Sequence, residues 1–159
     1  MEIQLNQDNI AIVDDDLPQE IIKSKWYVLN GYVVRTIAGV AEYLHRLIMA
    51  CPPGLTVDHK DQDKMNNRRS NLRICSVNQN LQNRGKFKNS TSRFKGVYRN
   101  QPYLNKFYWC GKITINGKQI FKRFPFTEEG ELLAARWYDN MADQLFGEFA
   151  ITNKDLGLL

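Results

Sequence analysis

Two Asn-Gly dipeptides, Asn30-Gly31 and Asn116-Gly117, each stand between runs of β-branched and aromatic residues. Asparagine and glycine both accept the left-handed backbone of a two-residue hairpin turn, whose twist matches that of antiparallel strands. Residues 26–29 with 32–35, and 107–115 with 119–124, are therefore expected to form two hairpins, one near each end of the 159-residue chain. In the second hairpin the turn sets Ile113 opposite Ile120 and Trp109 opposite Phe124, which makes one apolar face. The other face carries Tyr108, Cys110, Lys112, Thr114, Gln119, Phe121 and Arg123.

The remaining segments fit around these hairpins. Residues 10–13 (IAIV) read as a strand, and residues 14–23, with Pro18 near the start, as a short helix. Residues 43–50 (YLHRLIMA) have helical spacing and stop at Cys51-Pro52-Pro53-Gly54. Residues 55–59 and 71–75 read as short strands around a polar, basic loop. Ser76 and Gln79 then form a capping box that starts a helix reaching about residue 83. Residues 94–99 (FKGVYR) are a candidate third strand for the C-terminal hairpin. Thr127 caps a long helix with Glu128 and Glu129 in its first turn, an apolar stripe of Leu133, Trp137, Met141 and Leu145 beside Ala134 and Tyr138, and Gly147 at its end. That stripe is expected to cover the Trp109/Ile113/Ile120 face and leave the basic face open. The fold class is thus α+β: a β-rich scaffold with a compact finger over residues 1–83 (the finger at about 54–83), a basic linker at 84–92, and a three-stranded sheet backed by one helix at 93–159.

Charge divides the chain more sharply than composition does. Residues 1–63 and 127–159 each sum to −5, whereas residues 64–126 hold 15 Lys/Arg and no Asp or Glu. A basic stretch of that length, rich in Asn and Gln and interleaved with aromatics, suits a polyanion such as nucleic acid. A solvated basic face ranks second. An anionic membrane surface ranks third, because the block shows no basic amphipathic helix. Apolar runs are too short to span a membrane, the N-terminus lacks the pattern of a secretory signal, and Cys51, Cys75 and Cys110 suggest neither a disulfide framework nor a zinc knuckle. A soluble, cytoplasmic protein in a reducing compartment is expected.

The chemistry gathers at Asp58-His59. Adjacent strand residues point to opposite faces, so the pair can serve one site only where the strand ends. An isolated Asp-His is more often a local hydrogen-bonded pair than a catalyst. Asn71, twelve residues beyond His59, and Asn80, nine further on, change that balance. His59, Asn71 and Asn80 at these spacings resemble the HNH nucleases. The flanking segments Val57-Asp58-His59, Arg69 to Cys75 (RSNLRIC) and Tyr43 to Ile48 (YLHRLI) are similar to the phage and intron-encoded HNH homing endonucleases. The resemblance spans about residues 26–83. It implies a ββα-metal finger in which Asp58 and Asn80 are metal ligands, His59 is the general base and Asn71 staples the loop. Both implied ligands offer oxygen, which favours Mg²⁺ or Mn²⁺ over Zn²⁺. His45 reads as structural, and Arg46 as a brace or a phosphate contact.

Residues 93–153 in turn resemble the AP2/ERF DNA-binding domain, through Phe94-Lys95-Gly96-Val97-Tyr98, Thr127-Glu128-Glu129, Ala134 to Asp139 (AARWYD) and Phe146 to Ala150 (FGEFA). In that family a three-stranded sheet enters the major groove, and Lys95 matches a DNA-contacting arginine. The expected DNA contacts are Arg84, Lys86 and Lys88 in the linker, with Lys95, Arg99, Tyr108, Lys112, Gln119 and Arg123 on the sheet. Together the two resemblances imply a metal-dependent HNH endonuclease of the homing type that acts on double-stranded DNA, expected to be a monomer that nicks one strand. The rival reading is a non-catalytic DNA-binding regulator with a degenerate finger. A third, RNA binding, rests on Tyr108 and Phe121 as stacking surfaces.

Overall fold

The computed structural model describes residues 1–6, 8–103 and 105–159, and of Tyr103 the backbone only. The chain has mixed α and β content in small antiparallel sheets, and it divides into two compact units, Met1–Leu81 and Gln82–Leu159.

The first unit opens with a two-stranded sheet, β1 (Glu2–Gln4) and β2 (Ile10–Ile12), then a four-residue helix α1 (Gln19–Ile22). A three-stranded sheet follows in the order β3 (Tyr27–Leu29), β4 (Tyr32–Ile37), β5 (Val40–Tyr43), leading directly into α2 (Leu44–Ile48). Asn30 and Gly31 both take positive φ, 53° and 78°, as the turn requires. The joint between β4 and β5 is built the same way, with Ala38 at φ 49° and Gly39 at φ 80°. Ile3, Leu5, Ala11, Val13, Leu17, Trp26, Val33 and Leu44 pack into one buried core.

Upon this scaffold sits the finger: β6 (Thr56–His59) and β7 (Leu72–Cys75) pair antiparallel, and α3 (Val77–Gln82) follows. Ser76 and Gln79 cap α3 reciprocally: the Gln79 backbone N–H donates to Ser76 Oγ (3.2 Å), and the Ser76 N–H donates to Gln79 Oε1 (2.9 Å). The loop between β6 and β7 is docked onto β2. Ile12 N–H donates to the Met65 carbonyl at 2.8 Å and Asn67 N–H to the Ile12 carbonyl at 2.7 Å. Arg69 adds a backbone bond to Asp14 (2.8 Å) and an ion pair to Asp16 (2.6 Å).

In the second unit β8 (Val97–Tyr103), β9 (Lys106–Ile115) and β10 (Lys118–Pro125) form an antiparallel sheet with β9 in the centre, and α4 (Glu128–Phe146) packs on it. Register follows the Asn116-Gly117 turn: Ile120 lies opposite Ile113, and Phe124 opposite Trp109. Thr127 Oγ1 accepts from Gly130 N–H at 3.0 Å and caps α4. Two glycines let helix and sheet approach closely. A Cβ on Gly111 would lie 2.6 Å from the Trp137 ring, and one on Gly96, whose φ is +72°, 1.9 Å from the Tyr138 ring. Trp137, Met141 and Leu145 of the expected stripe pack against the core beside buried Ala134, Ala135, Tyr138 and Ala142, and Leu133 alone departs from it, at 42% exposed. Residues 90–92, expected within the linker, are bonded into this unit: Ser90 Oγ donates to the Val97 carbonyl (3.2 Å) and Ser92 Oγ to Glu131 Oε1 (2.6 Å).

Candidate active site

Antiparallel register places Asp58 opposite Arg73 and His59 opposite Leu72, so the acid and the histidine leave the β6–β7 hairpin on opposite faces. Asp58 is 4% exposed, and Arg73 Nε and Nη2 both meet its Oδ2, at 2.8 and 2.7 Å. Cys75 stands on the same face. Burial, reinforced by the Asp58 charge, pushes its thiol up, and the nearby Asn80 backbone, whose N–H donates to the Ser76 carbonyl at 3.0 Å, offsets a little of that. The first turns of α3 therefore lie against the Asp58 face, and Asn80 is half-buried there.

His59 faces the scaffold. Its ring is 5% exposed and lies 5.2 Å from His45 of α2 and 6.4 Å from Tyr32 of β4, measured between ring centroids. Its Nε2 meets Asn67 Oδ1 at 3.3 Å. Asn67 has both amide hydrogens on the carbonyls of Lys64 and Met65, each at 3.1 Å, so its oxygen is the atom turned to the histidine. A carboxamide oxygen only accepts, which fixes the proton on Nε2 and makes Nδ1 the basic nitrogen. Burial pulls the His59 imidazole below its ordinary pKa, and the Asn67 bond and the carboxylates of Asp61 and Asp58 offset only part of that. At neutral pH the ring is thus an unprotonated base.

Asn71 ties the intervening loop. Its Oδ1 accepts from Asp61 N–H (3.1 Å), while its Nδ2 donates to Asp61 Oδ1 and to the Asn66 carbonyl, both at 2.8 Å. Burial alone would raise the Asp61 carboxyl, but hydrogen bonds from Asn66, the Asp63 backbone and Asn71 hold it below the usual carboxylate range. Arg46 braces the turn before β6, with Nη1 donating to the Leu55 carbonyl at 2.8 Å. His45 is buried, and desolvation drives its pKa down to about 3.

Among the described residues, no group of three or more His, Cys, Asp or Glu is arranged to hold a metal ion. The Asp58 face offers a carboxylate, and Asn80, on the helix that starts beside it, carries an amide oxygen. That pair fits a hard divalent cation whose remaining positions go to water and phosphate.

On the second unit, Tyr108, Lys112, Gln119 and Arg123 do share one sheet face, in register with Pro125, Phe121, Thr114 and Cys110. Lys112 Nζ lies 5.4 Å from the Tyr98 ring centroid and Arg123 Cζ 5.7 Å from that of Phe121. Arg84 and Lys88 are exposed, and Lys86 is half-buried. Two expected contacts fall elsewhere. Lys95 is 9% exposed, and its Nζ donates to the carbonyls of Ile151 (2.8 Å) and Gln82 (3.1 Å), while burial lowers its pKa to about 8. It is a cation built into the packing of this unit and not one offered to a phosphate. Arg99 registers with Trp109 and lies 5.3 Å from the Phe107 centroid, on the face opposite Lys112 and Arg123.

Arg73 and Asn67 are the neighbours of Asp58 and His59 that the sequence reading missed, while His45, read as structural, is buried against His59. Position opposite Asp58 in a two-strand hairpin was the available signal for Arg73. Nothing local marks Asn67, whose partners come from fold-back of the loop.

All three cysteines are free thiols. No helix among the described residues is long and apolar enough to cross a membrane. Residues 42–82, which include α2 and the whole finger, match the HNH endonuclease family. No solved structure matches the chain. An uncharacterized HNH endonuclease of Acanthamoeba polyphaga mimivirus is 35% identical over 152 residues, an alignment that covers 91% of this chain and 74% of the relative. With the finger's elements, spacing and residue types in agreement with that relationship, the chain belongs to the HNH endonucleases.

Proposed function

We propose that this nuclease hydrolyses double-stranded DNA at the finger, with His59 as general base and Asp58 and Asn80 as the ligands of a Mg²⁺ or Mn²⁺ ion, and that the second unit holds the DNA as an AP2-like module. The single observation that carries this reading is the tautomer imposed by Asn67, which leaves a neutral imidazole with a basic Nδ1 in a loop stapled by Asn71. His59 Nδ1 takes a proton from water as the water oxygen attacks phosphorus and the P–O3′ bond breaks; the departing oxygen is protonated by solvent. The ion's contribution when bound is to neutralise charge on the phosphate and on that leaving oxygen. Asn71 and Asp61 keep in shape the loop that begins where β6 ends at His59.

Support for the module comes from the shared face of Tyr108, Lys112, Gln119 and Arg123, in a stretch without carboxylates. A sheet face of this kind fits the major groove, with base edges read by Lys112, Gln119 and Arg123 while Arg84, Lys86 and Lys88 track phosphates. Lys95 and Arg99 have no place in that set. One finger per chain supplies one nucleophilic site, so a monomeric, nicking enzyme of the homing type is the form proposed. The test is supercoiled plasmid incubated with the full chain in Mg²⁺ and in EDTA, beside Asp58→Asn. Nicked circles in Mg²⁺ alone, lost in the variant, are expected. Cleavage that persists in EDTA would contradict the metal assignment, and linear product without a nicked precursor would contradict the monomer.

A further inference from the structure

Asp58 is the most buried carboxylate of the finger, and it meets its cation across the hairpin: Nε and Nη2 of Arg73 converge on Oδ2 at 2.8 and 2.7 Å, with the arginine side chain itself only 12% exposed. A guanidinium commonly grips a carboxylate end-on, one nitrogen to each oxygen. Here two donors crowd one oxygen, and the register Asp58↔Arg73 fixes that approach through the backbone of both strands. A divalent cation recruited to this carboxylate meets a positive charge already within hydrogen-bond distance of it, in a setting where water screens little. A DNA phosphate, once present, would offset the combined excess of positive charge.

We infer that Arg73 is a positioning residue that serves as the resident counter-cation of Asp58, so that a divalent ion gains the carboxylate only in competition with the guanidinium. The inference rests on the reading of Asp58 as a metal ligand. Its consequence is that the nuclease is poorly loaded with metal until DNA arrives, because DNA supplies the negative charge that lets both cations stay. An ion pair kept solely to neutralise a buried acid predicts otherwise. In that case removal of the arginine costs stability and leaves nothing about metal affinity to depend on the charge at position 73.

The experiment is a titration of the full chain with Mn²⁺ alone, without DNA, with free ion followed by its EPR signal, for the native protein, Arg73→Gln, Arg73→Lys and Asp58→Asn. Arg73→Gln is expected to bind Mn²⁺ about tenfold or more tightly than the native chain, on the scale of removing one poorly screened like charge. Arg73→Lys, which keeps the charge, is expected to stay within about threefold of native. If Arg73→Gln is destabilised, the same gain reads as a larger Mn²⁺-induced rise in melting temperature than the native chain shows. Equal affinity in native and Arg73→Gln, with both losing it on Asp58→Asn, would overturn the role given to Arg73 and leave the metal site standing. Mn²⁺ binding unaffected by Asp58→Asn would instead overturn the ligand assignment beneath it.

Discussion

The finger loop of the first unit and the three-stranded sheet of the second put their polar side chains to opposite uses. In the first, Asn67, Asn71 and Asp61 turn inward and bond the loop between β6 and β7 to itself, and Arg69 ties that loop to Asp14 and Asp16. In the second, backbone ladders and close helix-on-sheet packing do the holding, and Lys112, Gln119 and Arg123 are left on a face with no acid among them. The difference follows from what each must do. On the proposed reading, a loop that serves catalysis has to be irregular and still fixed, which side-chain hydrogen bonds provide, whereas a surface that tracks a polyanion has to be regular and unneutralised.

Substitutions should separate these two kinds of support, and the largest effect is expected in the second unit. Gly96→Ala combines a left-handed backbone with a Cβ 1.9 Å from the Tyr138 ring. It is expected to destabilise the protein by about 3 kcal/mol or more, a loss measurable by urea unfolding. A near-native midpoint would mean that helix and sheet are not held by close approach.

Next comes the staple. Asn71→Ala leaves an Asp61 oxygen, the Asp61 N–H and the Asn66 carbonyl without this partner, at an expected cost of about 2–3 kcal/mol. Cleavage should fall with it, because the loop carries the strand end at His59. A variant that stays stable and active would show that the loop is held by its docking to β2 alone.

The third prediction is a pH dependence peculiar to the first unit. His45 has a folded pKa of about 3 against 6.5 in a free chain. The unfolded state therefore binds the proton first as pH falls. Stability is intact above the unfolded value and declines between about pH 6.5 and 3, by at most ~1.4 kcal/mol per pH unit. Melting temperature followed over that range should show the decline in the native chain and a shallower one in His45→Phe.

The smallest effect belongs to a turn. Ala38 sits at φ 49°, where an alanine is strained and asparagine is not. Ala38→Asn is expected to stabilise by about 0.5–1 kcal/mol, visible as a rise of a few degrees in melting temperature.

That same turn shows why part of the fold escaped the sequence reading. Asn30-Gly31 and Asn116-Gly117 announced their hairpins, register included, because the dipeptide and the strands it joins are local. Ala38-Gly39 makes an equivalent turn without the asparagine, so β5 was not singled out, and its last residue, Tyr43, was read as the first of a helix that begins at Leu44. The three-residue strand β1 was missed because its apolar content is too short to show a period. At the candidate site, His59, Asn71 and Asn80 were singled out by their spacing. Arg73, Asn67 and Lys95 were not, since what decides their roles is burial: the same arginine or lysine on the surface would read as a phosphate contact. The four-residue α1, shorter than the stretch assigned to it, lies beyond propensity, because so short a helix is stabilised by its packing and not by its own hydrogen bonds.

The most direct test of the central claim is single-turnover cleavage of DNA already bound, measured in Mg²⁺ for the native chain and His59→Ala with DNA affinity determined in parallel. If His59 is the general base, the variant's rate falls by roughly 10²-fold or more while its affinity stays within about twofold of native. An equal cleavage rate at equal affinity would contradict the account.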